Sequence, residues 1–300
     1  MAKILRVERS FRSVYQITDS ESEPIEKERY KSSYREFDEN GNVLEDITYL
    51  PDGNEDRRYL NEYLNGMLVD EKLFYDGDAL SEHNTFEYDD GRLKRSWVHY
   101  EDGSQDVIVY AYDEHGQMIQ KILYDEDNEI EEKHEWLYDQ NMLMSTRSFE
   151  GGDMDAPVKE ENYMYTDNGQ LAEKVIFDHA DELKIRQVFE YDGNGKEILV
   201  KRYQNDELKE KIQFERDAVG RAVKIIEEQP GDRMTIYQEF DEHGNVVLQK
   251  ALNIDGKEIY TIRRTYDDEG NMVESTVMED RHGIGVPSME KITVELDYEE

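Results

Sequence analysis

Carboxylates are the side chains this sequence supplies in excess, and many stand in or beside turn-like stretches: Asp38-Glu39, Asp89-Asp90, Asp113-Glu114, Asp241-Glu242 and Asp267-Asp268, with Asp167 and Asp192 at matching places. Paired carboxylates can share a proton, hold a cation or attract a basic ligand. Acid–base work needs an apolar cleft to raise one pKa of the pair, and pairs this numerous nominate none. A calcium loop needs Gly at its sixth position and Glu at its twelfth; neither DEDNE at 125–129 nor DGNGKE at 192–197 continues that way. The seven His stand at 83, 99, 115, 134, 179, 243 and 282, and none forms HExxH, since His134-Glu135 lacks a second His one helical turn on. His115 and His243 occupy the same place in equivalent turns, which reads as a solvated turn residue. GIGV at 283–286 is not followed by Lys-Ser/Thr and forms no phosphate cradle. The sequence therefore nominates no catalytic residue, no metal site and no cofactor, and the expectation is a protein that is not an enzyme.

What remains is long-range attraction. With 36 Lys+Arg against 73 Asp+Glu the formal net charge is -37. Such a field repels phosphate backbones and anionic membrane surfaces and favours a basic protein partner. Apolar residues make up 37% and charged residues 36%, close to a disordered composition, but 21 Tyr, 9 Phe and 2 Trp point to a folded chain with thin cores. The absence of Cys suits a reducing compartment. MAKILRVERS lacks a continuous apolar leader, and no run approaches the ~20 apolar residues of a membrane helix, so a soluble cytoplasmic protein is expected.

The elements that must position these acids announce themselves by repetition. An aromatic, an Asp, a Gly and an apolar residue recur in FDENGNV from Phe37, YDDGRL from Tyr88, YDEHGQM from Tyr112, YTDNGQL from Tyr165, YDGNGKEI from Tyr191, FDEHGNV from Phe240 and YDDEGNM from Tyr266. Looser copies begin at Tyr63, Tyr138 and Phe214, and the ten starts are spaced by about 25 residues. A second series of turns falls midway, as in YLPDGNE from Tyr49, YEDGSQ from Tyr100 and LNIDGKEI from Leu252. The Asp side chain can accept from a backbone N–H two residues on, and Gly or Asn supplies φ > 0. Seven or eight residues remain between turns, rich in β-branched and aromatic types, which suits a strand and is too short for a helix. The motif aromatic ends one strand and the apolar residue six positions on begins the next, so the two should face each other across the ladder.

The predicted fold is all-β: a single repetitive antiparallel β-meander of about twenty strands, elongated and curved or twisted, over 1–300. Both faces of a strand such as 118–124 are mixed, which suits a sheet that curls or stays single-layered, with Lys and Glu stems over its apolar rows. An open ribbon of that many strands would extend on the order of 95 Å. Two long strands are expected at 3–18 and 25–37 around DSESEP, and a last strand at MEKITVELDY after a loop at 279–287. GGDMDAP at 151–157 is the one candidate seam.

The YD…G pattern at Tyr88, Tyr112, Tyr191 and Tyr266 resembles the YD repeats of RHS proteins, and turns such as YEDG and YLNG are similar to the short repeats of the YwqK-type antitoxin and MORN-like group. The resemblance covers roughly residues 30–280. The chain departs from RHS proteins in its longer repeats and stronger acidity, and no self-cleaving core motif or toxin domain follows the repeats. RHS repeats build a closed shell around a toxin, for which 300 residues is too short. The resemblance therefore implies an orphan repeat array from a bacterial toxin-immunity setting, or a small adaptor.

Together these readings predict a monomeric, non-catalytic protein-binding module: an immunity protein or antitoxin that neutralises a basic toxin or effector. A scaffold, adaptor or chaperone of a secretion or toxin system is the first alternative, and a carbohydrate-binding repeat protein the second. The expected contact residues are Trp97 and Trp136 as aromatic anchors, with Asp89, Asp90, Asp113, Glu114, Asp241, Glu242, Asp267 and Asp268 as the acidic surface. A sugar site would instead bring Trp97 and Trp136 together with polar residues in a pocket.

Overall fold

The computed structural model describes residues 4–18, 23–77, 79–151, 154–280 and 288–298. Most of DSESEP, GIGV with His282, and part of 151–157 lie outside these residues. Among the described residues every regular element is a strand, twenty-two in all. The described chain divides into two compact units, 1–83 with 216–225 and 232–300, and 84–215 with 226–231. Residues 151–157 fall within the second.

In the first unit lie β1 (Ile4–Gln16), β2 (Ile25–Asp38), β3 (Val43–Tyr49), β4 (Glu55–Leu64) and β5 (Met67–Tyr75), and the start of β6 (Ala79–Asp89). The second unit holds β7 (Arg92–His99), β8 (Gln105–Tyr112), β9 (Met118–Tyr124), β10 (Ile130–Asp139), β11 (Met142–Glu150), β12 (Lys159–Tyr165), β13 (Leu171–Asp178), β14 (Leu183–Tyr191), β15 (Glu197–Gln204) and nearly all of β16 (Glu207–Arg216). After β17 (Ala222–Gln229) the first unit resumes with β18 (Asp232–Phe240), β19 (Val246–Leu252), β20 (Glu258–Tyr266), β21 (Met272–Glu279) and β22 (Ser288–Tyr298). Within the second unit β7 to β16 pair antiparallel in chain order.

The expected facing of aromatic and apolar residues is present in five copies, whereas Tyr191 faces Glu197. Phe37 pairs with Val43, Tyr112 with Met118, Tyr165 with Leu171, Phe240 with Val246 and Tyr266 with Met272. Each pair sits at a register shift next to a three-residue turn, where Gly at positive φ takes up the extra residue. Tyr63 and Tyr138 precede two-residue turns instead: Asn65-Gly66 and Gln140-Asn141 have φ of 54° and 78°, and 48° and 66°. Both central residues are left-handed there, as a hairpin matching strand twist requires. The copy read from Phe214 is offset, because its turn runs from Asp217 to Arg221 and Arg216 takes the aromatic's place.

One expectation is corrected. In an open meander β1 would be a free edge, yet it pairs with β2 on one side and with β22 on the other, in unbroken register from Arg6↔Tyr298 to Tyr15↔Met289. The open, elongated ribbon is therefore not the topology, since its first and last strands are hydrogen-bonded to each other. The physical reason is that a 13-residue strand with one neighbour leaves a row of N–H and C=O groups unpaired. Arg12 Nε donates to Glu290 at 3.1 Å and Arg9 pairs with Asp297 across the same ladder.

The cores are thin, as composition suggested. Val7, Ile17, Phe37, Ile47, Leu73, Ile236 and Ala251 are buried in the first unit, and Phe149, Val175 and Ile226 in the second, but among the described residues no large side chain is fully buried. Cationic stems cover aromatic rings instead: Arg6 lies 3.9 Å above Phe37, and Lys133 3.9 Å above Phe149.

Candidate functional site: the acidic turns

In the three-residue turns the first Asp works for the backbone, as Asp38, Asp113, Asp192, Asp241 and Asp267 do. Asp241 Oδ1 accepts from the N–H of His243 at 2.9 Å and of Asn245 at 2.8 Å, and its Oδ2 accepts from Asn245 Nδ2 at 3.0 Å. Asp267 is held alike by Glu269 N, Asn271 N and Asn271 Nδ2, and Asp113 by His115 N and Gln117 N. The side-chain amide of Asn271, joined by backbone donors, holds the Asp267 carboxyl below the usual carboxylate range. Burial opposes ionisation of Asp38, but the side chain and N–H of Asn42 outweigh it and lower that pKa as well. These carboxylates are consumed by three or so hydrogen bonds each and have little left for a ligand.

The second acid is different. Glu114 and Glu242 are each 88% exposed at the side chain, 3.7 Å from the ring of the following His. Asp268 is exposed too. Asp89 is 73% exposed and lies 3.6 Å from Lys94 Nζ, while Asp90 occupies a left-handed turn position at φ 50°. Asp241, Glu242, Asp267 and Asp268 belong to the first unit; Asp89, Asp90, Asp113 and Glu114 belong to the second.

Trp97 and Trp136 are half-buried strand residues in the second unit, opposite Val107 and Thr146 respectively. A hollow of about 310 Å³ is lined by Ile119, Gln120, Glu135, Trp136, Leu137, Ser145 and Arg147, without Trp97. Cross-strand register puts Gln120, Glu135 and Arg147 in one row and Leu137 and Ser145 in the next, all on one face. Trp136 alternates to the other face, where its ring lies 6.1 Å from that of His134. This hollow does not bring the two tryptophans together.

Two features escaped the sequence reading. The motif tyrosines form a ladder between repeats: Tyr112 Oη donates to Leu93 O at 2.8 Å, Tyr165 to Leu143 O at 2.7 Å, Tyr191 to Leu171 O at 2.7 Å and Tyr266 to Val246 O at 3.1 Å. The recurrence of Tyr over Phe in the motif was the available signal. Ser148 Oγ also lies 2.9 Å from His134 Nδ1, with Glu132 3.7 Å from Nε2. Ser148 and His134 are direct cross-strand partners on a sheet face, so the contact reads as sheet pairing rather than as an activated nucleophile. Among the described residues no group of three or more His, Asp or Glu could hold a metal ion, and no helix is long and apolar enough to cross a membrane.

No protein-family model and no curated protein matches the chain. Among solved structures it is similar to TcdB2-TccC3, at 12% identity over 93% of this chain and 19% of that one, with a TM-score of 0.44. A form of TcdB2-TccC3 without its hypervariable C-terminal region gives 11% identity, 90% and 19% coverage and a TM-score of 0.32. A porin-like protein from Bacteroides uniformis ATCC 8492 gives 9% identity, 96% and 97% coverage and a TM-score of 0.29. The chain spans about a fifth of the length of the TcdB2-TccC3 chains. At TM-scores below 0.5 these likenesses define neither a fold family nor an activity for it.

Proposed function

We propose that this chain is a non-catalytic, cytoplasmic protein-binding module that holds a basic protein partner through its acidic turns, in the manner of an immunity protein or antitoxin. The observation that carries the reading is the division of labour in turns such as 113–117 and 241–245: one Asp locks the backbone, and the residue after it, Glu114 or Glu242, presents an almost fully exposed carboxylate on a rigid base. Repeated in each unit under a net charge of -37, this gives exposed acids on fixed turns that steer cationic proteins and raise their association rate.

The test is capture of partners from the native host by the immobilised protein, alongside a variant carrying Glu39→Lys, Glu114→Lys, Glu242→Lys and Asp268→Lys. A basic protein should be retained by the native chain, released as salt rises, and lost by the variant. Recovery of copies of the chain alone would replace this reading with a self-assembling scaffold. Binding of a small sugar with no protein partner would favour the lectin alternative.

A further inference from the structure

Immediately before the motif aromatic, or before Arg216 in its place, the chain carries Glu36, Glu62, Glu87, Glu190, Glu215 and Glu239. The position is a solvated one, with Glu62, Glu190, Glu215 and Glu239 exposed. In three consecutive repeats of the second unit the Glu is replaced by Ala111, Leu137 and Met164. Leu137 is 62% and Met164 47% exposed. Register brings them near: Leu137 is opposite Ser145, which is opposite Asn162, two positions before Met164 on the same face. An acid-rich chain that places apolar side chains where six of its other repeats place Glu, and the one at Tyr266 places Thr265, forgoes solubility at that spot, and exposed apolar groups beside a concavity mark binding surfaces.

We infer that Leu137 and Met164, with the hollow beside Leu137, are the anchor of the proposed protein interface, and that the occupant is an apolar side chain flanked by basic residues. The inference rests on the proposed function and names its contact point. The hollow's charges are already matched, Glu135 by Lys133 at 3.2 Å and Arg147 by Glu160 at 3.0 Å, so an apolar contact at Leu137 is what it has left to give. Glu114, Asp139 and Asp167 follow Ala111, Leu137 and Met164 within three residues and supply the charge complement for basic flanks. The anchor is thus aliphatic, where the sequence pointed to Trp97 and Trp136.

The probe is a capped hexapeptide alternating lysine with leucine, against its lysine–serine counterpart, each titrated into the 300-residue chain and followed by the methyl resonances of Leu137 and Met164. The leucine peptide should bind about tenfold more tightly than the serine peptide. That preference should vanish in Leu137→Glu/Met164→Glu, which restores the residue found in other repeats and whose fold circular dichroism can verify. Equal binding of the two peptides, or a preference that survives the double substitution, overturns the anchor and leaves the acidic-surface reading standing. Failure of both peptides to bind also overturns the anchor, and the capture experiment then decides the function by itself. A native dimer converted to monomer by the double substitution would assign the patch to a second copy of this chain and overturn the inference.

Discussion

The phenol of Tyr191 donates to the backbone carbonyl of Leu171 at 2.7 Å, and Leu171 is itself the residue that faces Tyr165 across the preceding turn. Tyr112, Tyr165, Tyr191 and Tyr266 each thereby tie their own turn to the one before it. Phe37 and Phe240 show that the ring alone fits the position, so the hydroxyl is there for the bond.

Tyr191→Phe should accordingly cost about 1 kcal/mol, the net worth of one hydrogen bond whose carbonyl loses its partner. Tyr165→Phe should cost a similar amount, with urea unfolding of the single and double variants as the measurement. No loss in either would mean that the ladder is geometric rather than energetic.

Asp38 is buried and accepts from Asn40 N, Asn42 N and Asn42 Nδ2, each at 2.9 Å. Asp38→Ala should destabilise by about 2 kcal/mol, within the range for bonds to a charged acceptor. Asp38→Asn keeps an acceptor oxygen and should lose less. Thermal unfolding of both separates the turn-locking role from the charge.

Burial works against the charge on Glu161, but Lys174 at 2.7 Å, Tyr163 at 2.6 Å and Lys159 at 2.9 Å overcome it and hold the pKa at about 2. A depressed carboxylate pKa contributes stability that is fully present above the ordinary value of 4.5 and is lost as pH falls through the folded value of about 2. Stability measured from pH 5 to pH 2 should therefore decline less steeply in Glu161→Gln than in the native chain.

Tyr34 moves the other way. Burial first, and then its hydrogen bond to Glu36, raise the phenol to about 12. The folded state keeps this proton, so its contribution is complete below the unfolded value of 10 and disappears as pH rises towards about 12. Absorbance titration should show several late-ionising phenols, Tyr34, Tyr100 and Tyr163 among them, and Tyr34→Phe should remove one.

Gln140-Asn141 occupies two left-handed positions without a glycine. Replacing the pair by Asn-Gly, the sequence that such turns prefer, should stabilise the protein by about 1 kcal/mol in thermal unfolding.

The parts of the fold legible in the sequence are those governed by near neighbours. Asp267, Gly270 and Met272 lie within one turn of Tyr266, so their roles follow from local turn chemistry. The copy at Phe214 was misplaced because the turn obeys Asp217 and Gly220, while the aromatic that marks the other copies is only a packing preference. The pairing of Arg6 with Tyr298 left no trace at either end, since mixed polar and apolar strands carry no label for a distant partner. The acids of the turns were legible as a group, but the split between a locked Asp113 and an exposed Glu114 depends on backbone donors that composition does not show. Trp97 and Trp136 drew attention by residue type, whereas the exposure of Leu137 became apparent only against its equivalents in the other repeats.

The ladder between β1 and β22 also sets the order of events as the chain is made. β1 can zip to the adjacent β2 at once, but its second partner is far along the chain, 278 residues on at the Arg12–Glu290 contact, so one row of its amides must wait for that stretch to be translated. Contacts this distant in sequence fold slowly, and a waiting edge invites pairing with another nascent chain. The Arg and Glu residues along β1 and β22 thus have a task before the native state exists: keeping an unfinished edge from finding the wrong strand.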